Sequence, residues 1–390
     1  MSLWTSSNIF WASRTKRAKI FHAMNSDTAY MRLAIKEAEK GLGRTSPNPC
    51  VGAVIVKDDQ IIGQGYHRQA GTPHAEVNAI ADVLEKAYSC VGATIYVTLE
   101  PCNHTGRTPP CTQTILAAGF SRVVIGMADP NPVASGGADF LRSHSIEVRL
   151  GVLEQECRQL NYPFLKHSVT GLPWVVMKAG VSLDGKISRR QGEGGAITGS
   201  ASNQRVHALR NQLDAILIGN GTALIDAPSL TTRLEKKDGR DPLRVILDSQ
   251  LRLSPDARML TQQSSAATWV FCDQQAPRQR QKDLEQTGAI IHRVDREQNG
   301  GLDLAQVLRQ LGQADITSVL VEGGAAVHGS FLKKKLVDQV YLFMAPYFIG
   351  EQGTSLLNGY SIGKEETPLS LHEQTTETVG RDILIQGLLY

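Results

Sequence analysis

Long apolar runs and clusters of basic residues are both missing from the sequence. No stretch approaches the roughly 18 to 20 apolar residues that a membrane-spanning helix needs. The 41 lysines and arginines are scattered among 38 acidic residues, so the clustered basic face of a nucleic-acid-binding protein is missing too. There is no low-complexity tract, and 41% hydrophobic with 20% charged residues is typical of a folded globular protein. We expect a soluble protein whose partner is neither a membrane nor a nucleic acid.

Cysteine is also scarce. The six cysteines are spaced in a way that does not predict a disulfide framework; they are Cys50, Cys90, Cys102, Cys111, Cys157 and Cys272. Only Cys102 and Cys111 lie close together in a polar, turn-rich segment. We interpret the other four as ordinary small residues, since free cysteine packs as a small hydrophobe. The pattern favours the cytoplasm, a reducing compartment, and a metal site.

The length of 390 residues predicts two domains rather than one core. The first 26 residues contain four basic residues and no acidic one, but their apolar residues precede the charges, which is the wrong order for a secretory signal. Met24 is an alternative start. Turn-forming residues interrupt any regular pattern between positions 160 and 172. The predicted organisation is a dispensable extension at residues 1–26, a first domain at 27–165 and a second at 172–390.

Helical and strand patterns alternate in the first domain. Asp27 is placed to cap a helix that ends at Gly41, and residues 51–62 predict a hairpin. A second helix begins near His74; its predicted apolar face consists of Val77, Ile80, Ala81 and Leu84. The pattern continues with a strand at 94–99, a helix at 112–118 and a strand at 123–127. This alternation is typical of a three-layer α/β/α unit.

The second domain repeats the alternation. Its predicted strands are at residues 174–179, 215–219, 243–248, 268–271, 318–321, 339–345 and 383–386. Apolar, β-branched runs separated by helical stretches predict a mainly parallel sheet, of which the last two strands could form an antiparallel edge.

The most specific motif is His74-Ala75-Glu76, followed by Pro101-Cys102 and Cys111. One imidazole and two thiolates leave the fourth position of a zinc ion open, as in catalytic sites. Zinc lowers the pKa of a bound water to about 7, and Glu76 is placed to move its proton. The order matches zinc deaminases, although eight residues separate the cysteines instead of two. We predict one zinc per chain, bound by His74, Cys102 and Cys111, with Glu76 as the catalytic residue.

Simpler interpretations of the same residues are a solvated helix start, unpaired core thiols and a purely structural zinc. The order of the three elements, with a strand ending in Glu100-Pro101 between them, disfavours all of these.

Residues 45–53, 63–67, 71–76 and 101–111 together resemble the deaminase half of the bifunctional riboflavin-biosynthesis deaminase-reductase family. The resemblance implies a cytidine-deaminase-like fold and hydrolytic deamination of 2,5-diamino-6-(5-phosphoribosylamino)pyrimidin-4-one. It also implies four substrate-binding residues: Asn48, which holds the pyrimidine ring, His67 and His104, which line the pocket, and Arg107, which contacts the phosphate. A guanidinium suits a phosphate because it binds two oxygens at once.

The second domain has no G-x-G-x-x-G fingerprint, but it contains a Gly- and Ala-rich turn at residues 322–330. Backbone N–H groups at such a turn can approach a pyrophosphate. Gly324 and Gly329 are spaced as in a P-loop, but Phe331 replaces the expected Ser or Thr and no Lys precedes it, which disfavours kinase or ATPase activity.

This turn and residues 177–186, 197–198, 219–222 and 226–233 together resemble the reductase half of the same family, whose fold is similar to dihydrofolate reductase. The resemblance implies that NADPH reduces the ribosyl group to ribityl. The implied cofactor-binding residues are Val181, Ala196, Thr222, Asp226, Ser249, Gly324, Ala325, Ala326, Val327, His328, Gly329 and Ser330. The implied substrate-binding residues are Gly194, Arg210, Leu230, Arg233 and Glu322. Gly194 and Ala196 stand where the family often has Ser and Trp, and offer only backbone and small surface.

Two alternatives remain open at the level of sequence. Asp248 could bind a ribose 2′-hydroxyl, as in NADH enzymes, whereas Ser249 and Arg252 could bind the 2′-phosphate of NADPH. The alternative function is a nucleic-acid or free-nucleotide zinc deaminase with a regulatory or degenerate reductase-like tail. We expect a pyrimidine ribonucleotide substrate and a homo-oligomer.

Overall fold

The computed structural model describes residues 26–104, 109–132, 134–235, 239–297 and 300–390. Apart from Ser26, the predicted extension lies outside these residues. The described chain forms two compact units with a boundary between Val169 and Thr170. In those ranges, no helix combines the length and the apolar character needed to cross a bilayer.

The first unit contains a five-stranded sheet. Its strands are β1 (Gly52–Lys57), β2 (Gln60–Tyr66), β3 (Thr94–Leu99), β4 (Arg122–Met127) and β5 (Glu147–Leu150). The spatial order is β2-β1-β3-β4-β5; β1 pairs antiparallel with β2 and β3, and β3, β4 and β5 are parallel. The helices are α1 (residues 26–39), α2 (Ala75–Glu85), α3 (Cys111–Ala118), α4 (Gly137–Ser143), α5 (Glu154–Leu160) and α6 (Tyr162–Thr170). The predicted hairpin and the strand at 94–99 are confirmed.

Helix α6 occupies the segment that the sequence predicts to be irregular, so that prediction is wrong. Its only proline, Pro163, is the second residue of the helix. There the missing N–H costs no helical hydrogen bond, and the proline therefore starts the helix instead of breaking it.

The buried face of α2 also differs from the predicted one. Leu84 is 65% exposed, whereas Ala79 and Val83 are buried. These two face glycines on β2: a Cβ added at Gly63 would lie 2.3 Å from Val83 Cγ2, and one added at Gly65 would lie 2.4 Å from the Ala79 nitrogen. Close approach of helix and strand thus selects the small face of the helix, not its most hydrophobic one.

Asp27 does not cap α1. Its buried carboxylate accepts two hydrogen bonds from Arg122 (2.7 and 2.8 Å), one from Arg149 (2.5 Å) and one from the Tyr96 hydroxyl (2.9 Å). Burial alone would raise the pKa of Asp27, but the bonds from Arg122 and Tyr96 lower it. This buried ion cluster fixes the start of α1 against three neighbouring strands.

The second unit contains a nine-stranded sheet and a two-stranded ribbon. The strands are β6 (Trp174–Ser182), β7 (Lys186–Ser188), β8 (Ala215–Gly219), β9 (Leu243–Leu247), β10 (Thr268–Asp273), β11 (Ile290–Val294), β12 (Ser318–Gly323), β13 (Gln339–Ala345), β14 (Thr354–Ser355), β15 (His372–Val379) and β16 (Asp382–Leu388). The helices are α7 (Ser200–Gln212), α8 (Asn220–Asp226), α9 (Arg258–Thr261), α10 (Arg278–Glu285), α11 (Leu304–Gln313) and α12 (Ala325–Lys333).

The large sheet has the order β11-β10-β9-β8-β12-β6-β13-β16-β15. It is parallel from β11 to β13, and β16 and β15 are antiparallel at one end, while β7 and β14 pair separately. The predicted parallel sheet and the antiparallel pairing of β13 with β16 are confirmed. The sequence does not predict β15, because its residues are polar and almost all exposed on both faces.

Candidate active sites

The three predicted zinc ligands lie together in the first unit. His74 immediately precedes α2, Cys102 follows β3, and Cys111 begins α3. His74 Nδ1 is 3.2 Å from Cys111 Sγ and 3.7 Å from Cys102 Sγ, and the three ligand atoms lie within 4.8 Å of one another. Since Zn–S and Zn–N bonds are about 2.3 and 2.0 Å long, one imidazole and two sulfurs at these separations fit a zinc ion.

The two sulfurs differ in their affinity for a proton. Hydrogen bonds from the Cys111 thiol, from His74 and from the Cys111 backbone lower the pKa of Cys102 to about 4. Donating to Cys102 raises the pKa of the Cys111 thiol. Cys102 is therefore a thiolate at neutral pH, which is the form that binds zinc.

Glu76 lies in the first turn of α2 and is only 3% exposed. Burial raises the pKa of its carboxyl group. A raised pKa makes a carboxyl group a stronger base for the proton of a water, which suits a general acid and base.

Asn48 and His67 form a hydrogen-bonded pair beside the zinc ligands. His67 Nδ1 is 3.2 Å from the Pro73 carbonyl oxygen, and His67 Nε2 is 3.2 Å from Asn48 Nδ2. The His67 ring meets that of His74 edge to face, with centroids 5.4 Å apart. Because a carbonyl oxygen only accepts, Nδ1 carries the proton and Nε2 accepts from Asn48. This fixes the orientation of the Asn48 amide and leaves its oxygen for a ligand.

Two predicted substrate-binding residues of the deaminase, His104 and Arg107, remain to be placed. His104 is exposed on the loop after Cys102. Arg107 lies outside the described residues.

Two polar residues of this unit escaped the sequence reasoning. Asp129 follows β4, and its pKa is raised by burial and by the nearby Glu100 and Cys102. Asn161 accepts from the Cys50 backbone N–H at 2.8 Å and donates to the Cys50 carbonyl at 3.0 Å, which anchors the segment that bears Asn48. The position of Asp129 at the carboxyl end of a strand parallel to β3 is the signal that could have revealed it.

Two adjoining cavities, of about 450 and about 420 Å³, open near the carboxyl ends of β8, β9 and β12 in the second unit. Five residues line both cavities: Ile187, Gly195, Thr222, Asp226 and Gly324. Other predicted residues in the first cavity are Ala196, Arg210, Leu230, Glu322 and His328. Other predicted residues in the second are Gly194, Ser249, Ala325, Ala326 and Val327. Gly194, predicted for the substrate, thus shares the second cavity with predicted cofactor residues, whereas Ala196 and His328, predicted for the cofactor, share the first cavity with predicted substrate residues.

Four predicted residues line neither cavity: Val181, Arg233, Gly329 and Ser330. Val181 is buried, and a Cβ added at Gly329 would lie 2.0 Å from the Asn358 carbonyl oxygen. Both positions are therefore buried in the interior of the unit. Arg233 is exposed, three residues beyond the cavity-lining Leu230.

The first cavity contains a cluster of charged groups. Glu322 accepts two hydrogen bonds from Arg210, at 2.6 and 2.8 Å, and its carboxylate is 3.7 Å from Lys178 Nζ. Burial alone would raise the pKa of Glu322, but Arg210 and Lys178 lower it to about 2. Burial lowers the pKa of Lys178. Sequence reasoning missed Lys178, although it lies in a segment that carries the family resemblance.

The second cavity has the walls that a dinucleotide needs. Thr222 Oγ1 accepts from the Gly324 N–H at 3.1 Å, just before α12 begins. Small residues keep the wall open: a Cβ at Gly219 would lie 2.8 Å from Val327 Cγ2, and one at Gly194 would lie 1.9 Å from Asp226 Oδ1. A turn of this kind at the N-terminus of a helix fits a pyrophosphate.

Asp248 is not available to this cavity. Its carboxylate is buried and accepts from the Leu253 N–H at 2.7 Å. Ser249 and Arg252, in contrast, both line the second cavity.

Known families match both units. The model of the cytidine and deoxycytidylate deaminase zinc-binding region matches residues 24–127, and that of the RibD C-terminal domain matches residues 173–385. These regions imply zinc in the first unit and NADPH in the second, as the sequence predicts.

Similar proteins match along most of the chain. The riboflavin biosynthesis protein RibD of Escherichia coli is 41% identical over 85% of this chain and 90% of its own length, and that of Aquifex aeolicus is 39% identical over 92% and 97%. The crystal structure of a Thermotoga maritima diaminohydroxyphosphoribosylaminopyrimidine deaminase/5-amino-6-(5-phosphoribosylamino)uracil reductase is 37% identical, with a TM-score of 0.83 over 95% of this chain and 100% of that one. The chain therefore belongs to the RibD family of bifunctional riboflavin-biosynthesis enzymes.

Proposed function

We propose that this enzyme carries out two successive steps of riboflavin biosynthesis. The first is hydrolytic deamination of 2,5-diamino-6-(5-phosphoribosylamino)pyrimidin-4-one, and the second is NADPH-dependent reduction of the ribosyl group of the product to ribityl. The observation that carries the proposal is the presence, in one chain, of a His/Cys/Cys cluster with a buried glutamate and of a charged cavity that adjoins a second one lined by the Gly- and Ala-rich start of α12.

In the deaminase, His74, Cys102 and Cys111 would hold the metal. Zinc, when bound, supplies the Lewis acidity that makes water a nucleophile near pH 7. Glu76 takes a proton from the attacking water and passes it to the departing amine. A C–O bond forms as the C–N bond breaks: the oxygen stays on the ring as the carbonyl, the amino group leaves as ammonia with one proton of the water, and the other proton stays on a ring nitrogen. The Asn48 amide nitrogen donates a hydrogen bond to His67, so its oxygen faces the ligand and accepts a hydrogen bond from an N–H group of the pyrimidine.

In the reductase, the first cavity binds the substrate and the second the cofactor. NADPH, when bound, supplies a hydride to the ribosyl carbon in its opened imine or carbonyl form. Glu322, held as a carboxylate by Arg210 and Lys178, accepts hydrogen bonds from the N–H groups of the pyrimidine. Thr222 and the turn that starts α12 bind the pyrophosphate.

The substrate's phosphate is assigned to Arg233. The guanidinium of Arg210 already donates to both Glu322 oxygens and to the Thr231 carbonyl. Arg233 is exposed at the end of the same loop, and its Nη1 donates to Thr231 Oγ1 at 3.1 Å. Unlike Arg210, an arginine in this position can bind two phosphate oxygens at once.

The 2′-phosphate of NADPH is assigned to Ser249 and Arg252. Both face the second cavity, whereas the Asp248 carboxylate, the group that an NADH enzyme would use, is turned away from it.

We also propose that the enzyme works in the cytoplasm as a homo-oligomer. All six cysteines are free, which suits a reducing compartment. Sedimentation of the purified protein gives its oligomeric state, and a monomer at micromolar concentration would contradict that part of the proposal.

A turnover assay with the purified enzyme tests the function. With the diaminopyrimidine nucleotide and NADPH, we expect one ammonia released and one NADPH oxidised per substrate. Without NADPH, ammonia alone should appear. Deamination of single-stranded RNA or free cytidine nucleotides, with no turnover of the diaminopyrimidine, would favour the alternative function instead.

A further inference from the structure

Helix α7 holds the loop that carries Arg233. Arg210 Nη1 donates to the Thr231 carbonyl at 3.1 Å, and the backbone N–H of Arg233 donates to His207 Nδ1 at 3.2 Å. His207 and Arg210 are three positions apart and therefore lie on the same face of the helix. The loop that leads from the substrate cavity to Arg233 is thus tied to α7 at two successive points.

The His207 ring is a neutral hydrogen-bond acceptor. It is 2% exposed, and because Nδ1 accepts, the ring proton is on the buried Nε2. Burial, together with the charges of Arg210 and Arg233, lowers the pKa of His207 to about 4, against smaller opposing influences of Glu322 and of the Thr231 backbone.

An apolar side chain of similar size could fill the same buried position. What such a side chain would not provide is the acceptor for the Arg233 N–H. The position therefore needs the Nδ1 lone pair, not merely the volume of the ring.

We infer that His207 is a positioning residue of the reductase, which fixes the backbone of Arg233 so that the Arg233 guanidinium meets the phosphate of the substrate. The inference rests on the proposed role of Arg233. His207 itself contacts neither cavity among the described residues, and acts on the substrate only through the loop.

Reduction kinetics with two substrates test this inference. The probes are 5-amino-6-(5-phosphoribosylamino)uracil and its dephosphorylated nucleoside, each with saturating NADPH. His207→Leu should raise KM for the nucleotide about ten-fold, because the Arg233 guanidinium is then held less well against the phosphate, and should change KM for the nucleoside little. His207→Asn, whose Oδ1 can replace Nδ1 as the acceptor, should restore most of the nucleotide affinity.

The matched control is His292, a partly buried histidine on β11 of the same unit, which bonds Gln310 at 3.0 Å and lines neither cavity. His292→Leu should leave both KM values unchanged. Circular dichroism and thermal unfolding of the same samples report whether each variant is folded, and His207→Met replaces His207→Leu if the latter does not fold.

Arg233→Ala separates the inference from the function on which it rests. In an Arg233→Ala background, His207→Leu should have no further effect on the nucleotide, because both act on one contact. If Arg233→Ala alone leaves KM unchanged, the phosphate assignment and the inference both fail. If Arg233→Ala raises KM but His207→Leu does not, or if His207→Leu weakens nucleotide and nucleoside equally, only the positioning role of His207 is overturned.

Discussion

The zinc site and the reductase cavities are assembled in different ways. The three zinc ligands lie at the starts of two helices and in the loop between them, within a segment of 38 residues from His74 to Cys111. The residues that line the reductase cavities come from elements that include β6, α7, α8, the loop after β9 and α12, and they span residues 178 to 354. The residues of the first site are close together in the sequence, whereas those of the second are far apart in the sequence and are brought together by the order of the strands in the sheet.

The two sites also differ in how many groups their chemistry depends on. The zinc site depends on a few side chains whose atoms must surround one point, and each of these is indispensable. The reductase site distributes binding over many backbone and side-chain groups, so that a single loss lowers affinity without abolishing it. Substitutions in the two units should therefore differ in size and in kind.

The largest expected effect is that of Cys102→Ser. A serine hydroxyl remains protonated near neutral pH, so one of three ligands is lost, and both zinc content and deamination should fall below detection. Reduction of the already deaminated nucleotide should continue at the wild-type rate. Zinc analysis and the two separate assays measure this difference.

The control is Cys90→Ser, at a buried free cysteine away from the zinc ligands, which should keep its zinc. Removal of the metal by a chelator should reproduce the Cys102→Ser phenotype in the wild type. Loss of both activities in a folded Cys102→Ser protein would show that the two sites are not separable.

Glu76→Gln should have the next largest effect. The amide keeps the shape of the side chain but cannot carry a proton, so deamination should fall by about 10² to 10⁴, as for other lost general acid-base residues. Zinc content should stay near one per chain, which distinguishes this variant from Cys102→Ser. Glu85→Gln, at the exposed end of the same helix, serves as the control. Wild-type turnover by Glu76→Gln would exclude Glu76 as the proton carrier.

The contrast between the sites also explains what could be predicted. His74, Cys102 and Cys111 could be found because ligand type and order survive in the sequence without knowledge of the fold. Which residues share a cavity could not: Gly194, Ala196 and His328 lie with the other predicted group, and Arg233 and Val181 line neither cavity, because these positions lie on loops, a strand and a helix whose packing the local sequence does not specify.

The same limit applies to the fold. Strands such as β3 could be predicted because both faces are buried and the run is continuously apolar. The buried face of α2 could not, since Gly63 and Gly65 on another element decide it. Neither could β15, whose pairing with β16 rests on backbone hydrogen bonds and leaves its polar side chains in solvent.

The smallest expected effect concerns the choice between NADPH and NADH in the reductase site, where binding is distributed over many groups. Arg252 is exposed at the edge of the second cavity, and its assigned partner, the 2′-phosphate, is absent from NADH. A charged hydrogen bond contributes roughly 1.5 to 3 kcal/mol, and solvent screening at an exposed position favours the lower end. Arg252→Gln should therefore raise KM for NADPH about ten-fold and leave KM for NADH unchanged. The effect should shrink as salt is added, since added ions already weaken the wild-type contact.

Two variants make this prediction specific. Arg258→Gln removes an exposed charge that lies on α9 and lines neither cavity, so it should change neither KM. Asp248→Asn should leave the ratio of NADPH to NADH activity as it is, because the carboxylate bonds the Leu253 N–H inside the protein and does not reach a ribose. If Arg252→Gln weakens both cofactors equally, the arginine acts on the shared pyrophosphate. If Asp248→Asn alters the ratio while Arg252→Gln does not, cofactor choice lies with the aspartate, and the assignment of the 2′-phosphate to Arg252 is wrong.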